Sequence, residues 1–297
     1  MNSFRDGYNY IIVSPVKDED KYIEYTIQSV IEQTIMPGKW IIVDDGSRDR
    51  TSEIIANYSN RYKWIQTLKL RRNSQRQPGS AVIHAFNWGY KIVDNENFDF
   101  IVKLDCDLRF GADYFERLIK EFHEESRLGI ASGAYLERHG ESWASVKMPD
   151  YHAAGASKVI RKKCFKEIGG FMPAKGWDTI DEIKAQIKGW KTCHFPELRF
   201  YHLKHEGSGI GFCQTNVMLG EIYYRTGGSM LFFILKVMHR MLYGRPFIIS
   251  GIMMLYGFMK QLVLRGKLLV SEEEARFYRR LLNRRIISRF TIGNREI

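Results

Sequence analysis

Trp40-Ile41-Ile42-Val43-Asp44-Asp45-Gly46-Ser47 is a short apolar run that stops abruptly in two carboxylates and a turn. Four branched or aromatic residues bounded by Pro37-Gly38 before and Asp-Gly after read as a buried strand. The segments on either side repeat the theme. Upstream, Tyr8 to Ser14 (YNYIIVS) is another apolar run, stopped by Pro15, and Ile23, Ile27, Val30 and Ile31 then recur at helical spacing. Downstream, a helix is expected around Ser52 to Tyr58 and a strand at Ile65 to Leu70. A helix marked by Ala81, Ala85, Trp88 and Ile92 follows, then a strand from Phe98 to Leu104 and a helix carrying Phe115, Leu118, Ile119 and Phe122. Strand alternating with helix predicts an α/β fold, a mostly parallel sheet with helices on both faces.

Ligands of such sheets bind outside the carboxyl ends of the strands. That edge would collect Ser14, Pro15 and Lys17, then Asp44 and Asp45, then Asp105-Cys106-Asp107, which follows Ile101-Val102-Lys103-Leu104. Hard divalent cations take oxygen ligands, and Mg²⁺ commonly uses one or two carboxylates plus substrate phosphates. Asp-Gly and Ser also favour plain turns, so Asp44 and Asp45 serve either purpose. A second acidic group, Trp177-Asp178-Thr179-Ile180-Asp181-Glu182, opens a helix closed by Gly189-Trp190. Acids are also favoured at a helix N-terminus by its dipole.

The order of these pieces resembles the family 2 glycosyltransferases. The likeness is carried by Ile11-Ile12-Val13-Ser14-Pro15, by Ser29 to Thr34, and by Trp40 to Ser47 with Asp49 and Thr51. It continues through Asn87 and Gly89, Asp105/Asp107 and Gly169-Gly170-Phe171, within roughly residues 8 to 205. The resemblance implies a GT-A (Rossmann-like) fold with a mixed, mostly parallel sheet, and an inverting hexosyl transfer from a nucleotide-diphosphate sugar, UDP favoured, with Mg²⁺ or Mn²⁺. Carried over, Ser14, Pro15, Lys17, Asp44, Asp45, Arg71 (or Arg72) and Asp105 would bind the nucleotide. Asp107, Asp105 and His202 would bind the metal, with His205 a further candidate. The base that takes the acceptor proton would be Asp178, then Asp181, then Glu182. Trp177 stands where the family has Glu, which leaves open a catalytically inactive relative acting as a partner. The small residues of His152 to Ser157 would let backbone approach a sugar, or form a tight turn.

Charge is uneven. Ser229 to Ile297 holds 13 Lys/Arg against 4 Asp/Glu, whereas the preceding residues hold 32 against 30, within a net charge of +11. Phe247 to Met259 is uncharged for 13 residues, too short to span a bilayer. The expectation is a catalytic domain over 1–228 and a helical, basic, amphipathic segment over 229–297, lying on an anionic membrane surface. Packing on the catalytic domain, or an oligomer through these helices, is the alternative. Four scattered cysteines and no apolar leader in Met1 to Gly7 suggest the cytosol, at the inner face of the cell membrane. A glycan or lipid-linked acceptor fits that location. A nucleotidyltransferase is disfavoured because Ser14-Pro15-Val16-Lys17-Asp18 offers no Gly-rich phosphate loop. A nucleic-acid partner is disfavoured for want of any binding motif.

Overall fold

The computed structural model of the chain describes residues 9–70, 80–204, 211–244 and 246–292. They fall into two compact units, Met1–His205 and Glu206–Ile297. The division lies one helix ahead of the change in composition at Ser229.

The first unit holds one sheet. Its strands are β1 (Tyr10–Val16), β2 (Lys39–Asp44), β3 (Ile65–Lys69), β4 (Phe100–Leu104), β5 (Leu108–Phe110), β6 (Leu128–His139), β7 (Ser142–Ser145), β8 (Ser157–Arg161) and β9 (Lys191–His202). They lie in the order β3-β2-β1-β4-β8-β6-β9-β5, with β7 paired to β6. The first four strands in this order are parallel, as the alternation of strand and helix requires. The mixed character expected of a GT-A fold begins past β4. β8 enters antiparallel between β4 and β6, and β5 and β7 also pair antiparallel, so the sheet is mixed.

Strand periodicity sorts side chains between two layers. Tyr10 and Ile12 of β1 and Trp40 and Ile42 of β2 face one side, with helices α1 (Ile23–Ile31), α2 (Thr51–Arg61) and α4 (Tyr114–Glu124). Ile11, Val13, Ile41 and Val43 face the other, with α3 (Ser80–Val93), α5 (Lys162–Glu167) and α6 (Trp177–Ile187). Phe86, Phe165 and Phe171 form an aromatic cluster there, and Phe171 meets the Trp177 ring at 4.7 Å, seating the start of α6.

The second unit is helical: α7 (Phe212–Arg225), α8 (Met230–Tyr243), α9 (Ile249–Val263) and α10 (Glu272–Ile292). Tyr223, Phe233 and Phe258 stack at its centre. Ser229 Oγ bonds Asn283 Oδ1 at 2.6 Å, tying α10 to the start of α8. No helix among the described residues is long and apolar enough to cross a membrane.

α3 lies close on the sheet because Gly89 has no side chain: a Cβ there would stand 2.6 Å from Val13 and 2.7 Å from Val43. Alanine normally stabilises a helix interior over glycine by about 1 kcal/mol. Here Gly89→Ala is expected to lower stability by about 1–3 kcal/mol through overpacking, read by urea denaturation. Unchanged or increased stability would mean that α3 has room above the sheet.

Candidate active site at the strand ends

β1, β2 and β4 end along one edge. In register, Val16 lies beside Asp44, and Val13 lies beside Lys103 two residues before Asp105. Asp45 N–H donates to Val16 O at 2.9 Å and Asp105 N–H to Ala156 O at 2.8 Å, so both loops leave the edge together. Ser14 and Pro15 are buried in β1, and Ser14 Oγ accepts from Trp40 Nε1 at 2.9 Å. Lys17 is half-buried just beyond them. Arg71, Arg72 and His205 lie outside the described residues.

The two adjacent aspartates differ. Asp44 accepts from Ser47 N–H (2.8 Å) through one oxygen and from the Ser52 hydroxyl through the other, which shapes the turn into α2. Asp45 is buried at the edge itself. Opposite it, Asp18 sits at φ 54°, and Asp18, Glu19 and Asp20 are cross-tied to Ser47, Arg48, Asp49 and Thr51.

Asp107 and His202 come together because β5 pairs with β9 and sets Leu108 beside His202. Leu203 N–H then bonds Asp107 O at 2.9 Å. His202 Nε2 lies 3.4 Å from Asp107 Oδ2, and its Nδ1 lies 3.8 Å from Glu137 Oε1. Lys204 Nζ pairs with buried Glu19 at 2.6 Å, joining this loop to the one after β1. Burial alone would raise the Asp107 pKa, but the His202 hydrogen bond and charge outweigh it and hold the carboxyl below its usual range. For Asp105 burial prevails over the nearby Lys103 ammonium, and the pKa is raised. Asp107 Oδ1 is buried with no hydrogen-bond partner among the described residues. No group of three or more His, Cys, Asp or Glu there is arranged as a ready metal centre. Two donors with one buried oxygen lacking a hydrogen bond fit a cation whose other ligands arrive with a diphosphate.

Next to this edge lie two buried lysines that sequence reading passed over. Lys103 of β4 and Lys158 of β8 are direct cross-strand neighbours, both almost fully buried. Like charges so placed repel. Each is compensated separately. Lys103 Nζ bonds Asp105 Oδ1 (2.6 Å) and Gly155 O (2.8 Å). Lys158 Nζ bonds both Asp181 oxygens (3.1 and 3.0 Å), Glu182 Oε1 (3.3 Å) and Asp178 O (3.0 Å). The Trp177 ring lies 5.3 Å from one ammonium and 5.1 Å from the other, a cation–π partner to both. Burial opposes the Lys158 charge, but Asp181, Glu182 and Asp178 hold its pKa above the ordinary value.

This packing separates the three acids of α6. Asp181 and Glu182 are buried, and Glu182 also holds Ala153 N–H (2.8 Å) and His152 Nδ1 (3.0 Å). Asp178 is half-exposed, and its carboxylate accepts only from the amide of Thr179, at 3.1 Å, among the described residues. The available signal for Lys103 and Lys158 was a lone cation inside an apolar strand run, which demands a buried counter-charge.

The sequence profile of Glycosyl transferase family 2 matches residues 11–174. Poly-beta-1,6-N-acetyl-D-glucosamine synthase of Staphylococcus aureus is 25% identical over 226 residues, 69% of this chain and 50% of its own length. The minor teichoic acid biosynthesis protein GgaA of Bacillus subtilis is 27% identical over 125 residues, 41% of this chain and 26% of its own. The chain thus spans half or less of these relatives. Among solved structures, the mannosyltransferase PcManGT of Pyrobaculum calidifontis, with GDP-Man and Mn²⁺, superposes with a TM-score of 0.56 at 12% identity, covering 90% of this chain and 77% of that one. S. aureus TarS 1-349 with UDP-GlcNAc gives 0.55 at 17%, covering 91% and 78%. These likenesses show the GT-A fold. With the profile matching more than half of its length, the chain belongs to glycosyl transferase family 2.

Proposed function

We propose that the protein transfers a sugar from a nucleotide-diphosphate donor, a UDP-sugar by preference, to a glycan or lipid-linked acceptor at a membrane surface, with inversion. The observation that carries this reading is the pair of buried Asp107 and largely buried His202 on the edge that also bears Asp45. Asp45 accepts a hydrogen bond from the base, while Ser14 and Pro15 form the floor beneath the nucleoside. Asp107 and His202 would hold a divalent cation, Mg²⁺ or Mn²⁺, which when bound would supply positive charge against the leaving diphosphate. Asp105, already paired with Lys103, orients the strand end from the side. Asp178 takes the proton of the acceptor hydroxyl, because Asp181 and Glu182 are committed to Lys158.

Thermal-shift screening of UDP, GDP and dTDP with and without Mn²⁺ tests the donor side. Stabilisation by one nucleotide, enhanced by Mn²⁺ and lost in Asp107→Ala, is expected; equal stabilisation of Asp107→Ala removes that residue from the site. On the acceptor side, Asp178→Asn should reduce transfer of labelled sugar to membrane extract about 10²–10⁴-fold while keeping nucleotide affinity. Asp181→Asn should instead lower the unfolding midpoint and retain transfer. The reverse pattern would make Asp181 the base.

A further inference from the structure

The second unit turns a large apolar surface to solvent. On α8, Leu231, Leu235, Met238 and Leu242 recur at helical spacing and are exposed, while Phe233 and Val237 face inward. On α9, Ile249, Ile252, Tyr256, Met259 and Val263 form a second exposed stripe, with Met254 and Phe258 inward. The stripes run to the end of α8 and the start of α9, where Tyr243 is 72 % exposed, Phe247 60 % and Ile248 59 %. Ile248 adopts φ 61°, a backbone conformation unfavourable for a β-branched residue. Its N–H bonds Met241 O at 3.0 Å, which closes the turn and leaves the side chain outside. A contiguous exposed apolar face of this kind marks an interaction surface.

Charge identifies the partner. The region from Ser229 onward is strongly cationic. The charged groups acting on half-buried Lys236 are Arg240 and Arg285, both cations, and burial together with their repulsion lowers its pKa to about 8. Arg265 and Lys267 are exposed just past α9. Apolar stripes flanked by cations complement a bilayer of anionic lipid. Helix packing agrees: a Cβ on Gly220 would overlap Met254 O, and one on Gly257 would overlap Val217 O, so α7 and α9 meet backbone to backbone. Small residues at such crossings are the usual means of joining helices in lipid.

We infer that Tyr243, Phe247 and Ile248, at the ends of the exposed stripes of α8 and α9, insert into one leaflet of an anionic bilayer, with the flanking cations at the headgroups. This rests on the membrane-surface part of the proposed function and goes beyond it: apolar burial, rather than charge alone, holds the protein there.

The test is flotation of the full chain with vesicles of phosphatidylcholine and phosphatidylglycerol at 0.1 M and 1 M NaCl. Binding should persist at high salt. Tyr243→Ser/Phe247→Ser should weaken it at least about tenfold with an unchanged circular-dichroism spectrum, whereas Arg265→Gln/Lys267→Gln should weaken it only at low salt. In Phe247→Trp, lipids brominated in the acyl chain should quench fluorescence beyond their effect on the wild type. Binding abolished by 1 M NaCl and indifferent to Tyr243→Ser/Phe247→Ser would overturn insertion while leaving a surface-bound enzyme. Failure to bind any vesicle, with dimerisation that Tyr243→Ser/Phe247→Ser abolishes, would overturn both membrane readings and assign the face to a second copy.

Discussion

The edge exists because three parallel strands end within two residues of one another. β2, β1 and β4 are locked by backbone hydrogen bonds, so the positions of Asp45 and Asp105 follow from ladder register rather than from attraction between their side chains. Buried carboxylates repel and resist desolvation. They remain here because the ladder supplies the placement and nearby cations supply the compensation: Lys103 for Asp105, His202 for Asp107 and Lys204 for Glu19. His202 and Lys204 come from the end of β9 and the residues after it, whereas Lys103 lies in β4 itself, next to the carboxylate it compensates. The last two of these pairs thus knit the loops after β1, β4 and β9.

Burial also divides residues that look alike in sequence. Asp44 and Asp45 are neighbours, yet one closes a turn through both oxygens while the other faces the edge. Asp178 and Asp181 lie one helical turn apart, yet Lys158 engages the backbone carbonyl of the first and the carboxylate of the second. The Trp177 ring lies within cation–π distance of both buried ammonium groups, so the start of α6 shares their packing and charge contacts.

β1, β2 and β4 were legible because each is a short apolar run, whereas β3, Ile65-Gln66-Thr67-Leu68-Lys69, was legible mainly from its place in the alternation. β6 was not. Its Leu128-Gly129-Ile130-Ala131-Ser132-Gly133-Ala134 is poor in branched residues, and it becomes a strand through pairing with β8 and β9. Gly133 is part of the reason, since a Cβ there would collide with the carbonyl of Leu198. The acidic motifs could be read from position alone. Their division into structural and exposed groups could not, because it depends on Lys103 and Lys158 meeting across β4 and β8, two strands more than fifty residues apart in sequence. Likewise, composition indicated a basic, apolar tail, while the gathering of its exposed residues at one turn needed the helix ends.

Lys158 has a further consequence, for folding. β8 must enter antiparallel between two strands, and a slip of one residue would turn every side chain to the opposite face. Such a slip would carry the Lys158 ammonium into the layer of α1, α2 and α4, and leave Asp181 and Glu182 buried without their cation. Removing one partner of a buried ion pair costs about 3–5 kcal/mol, more than a modest loss of apolar contact. Misaligned sheets are therefore rejected electrostatically, by a lock that closes only when strand and helix arrive in the same frame.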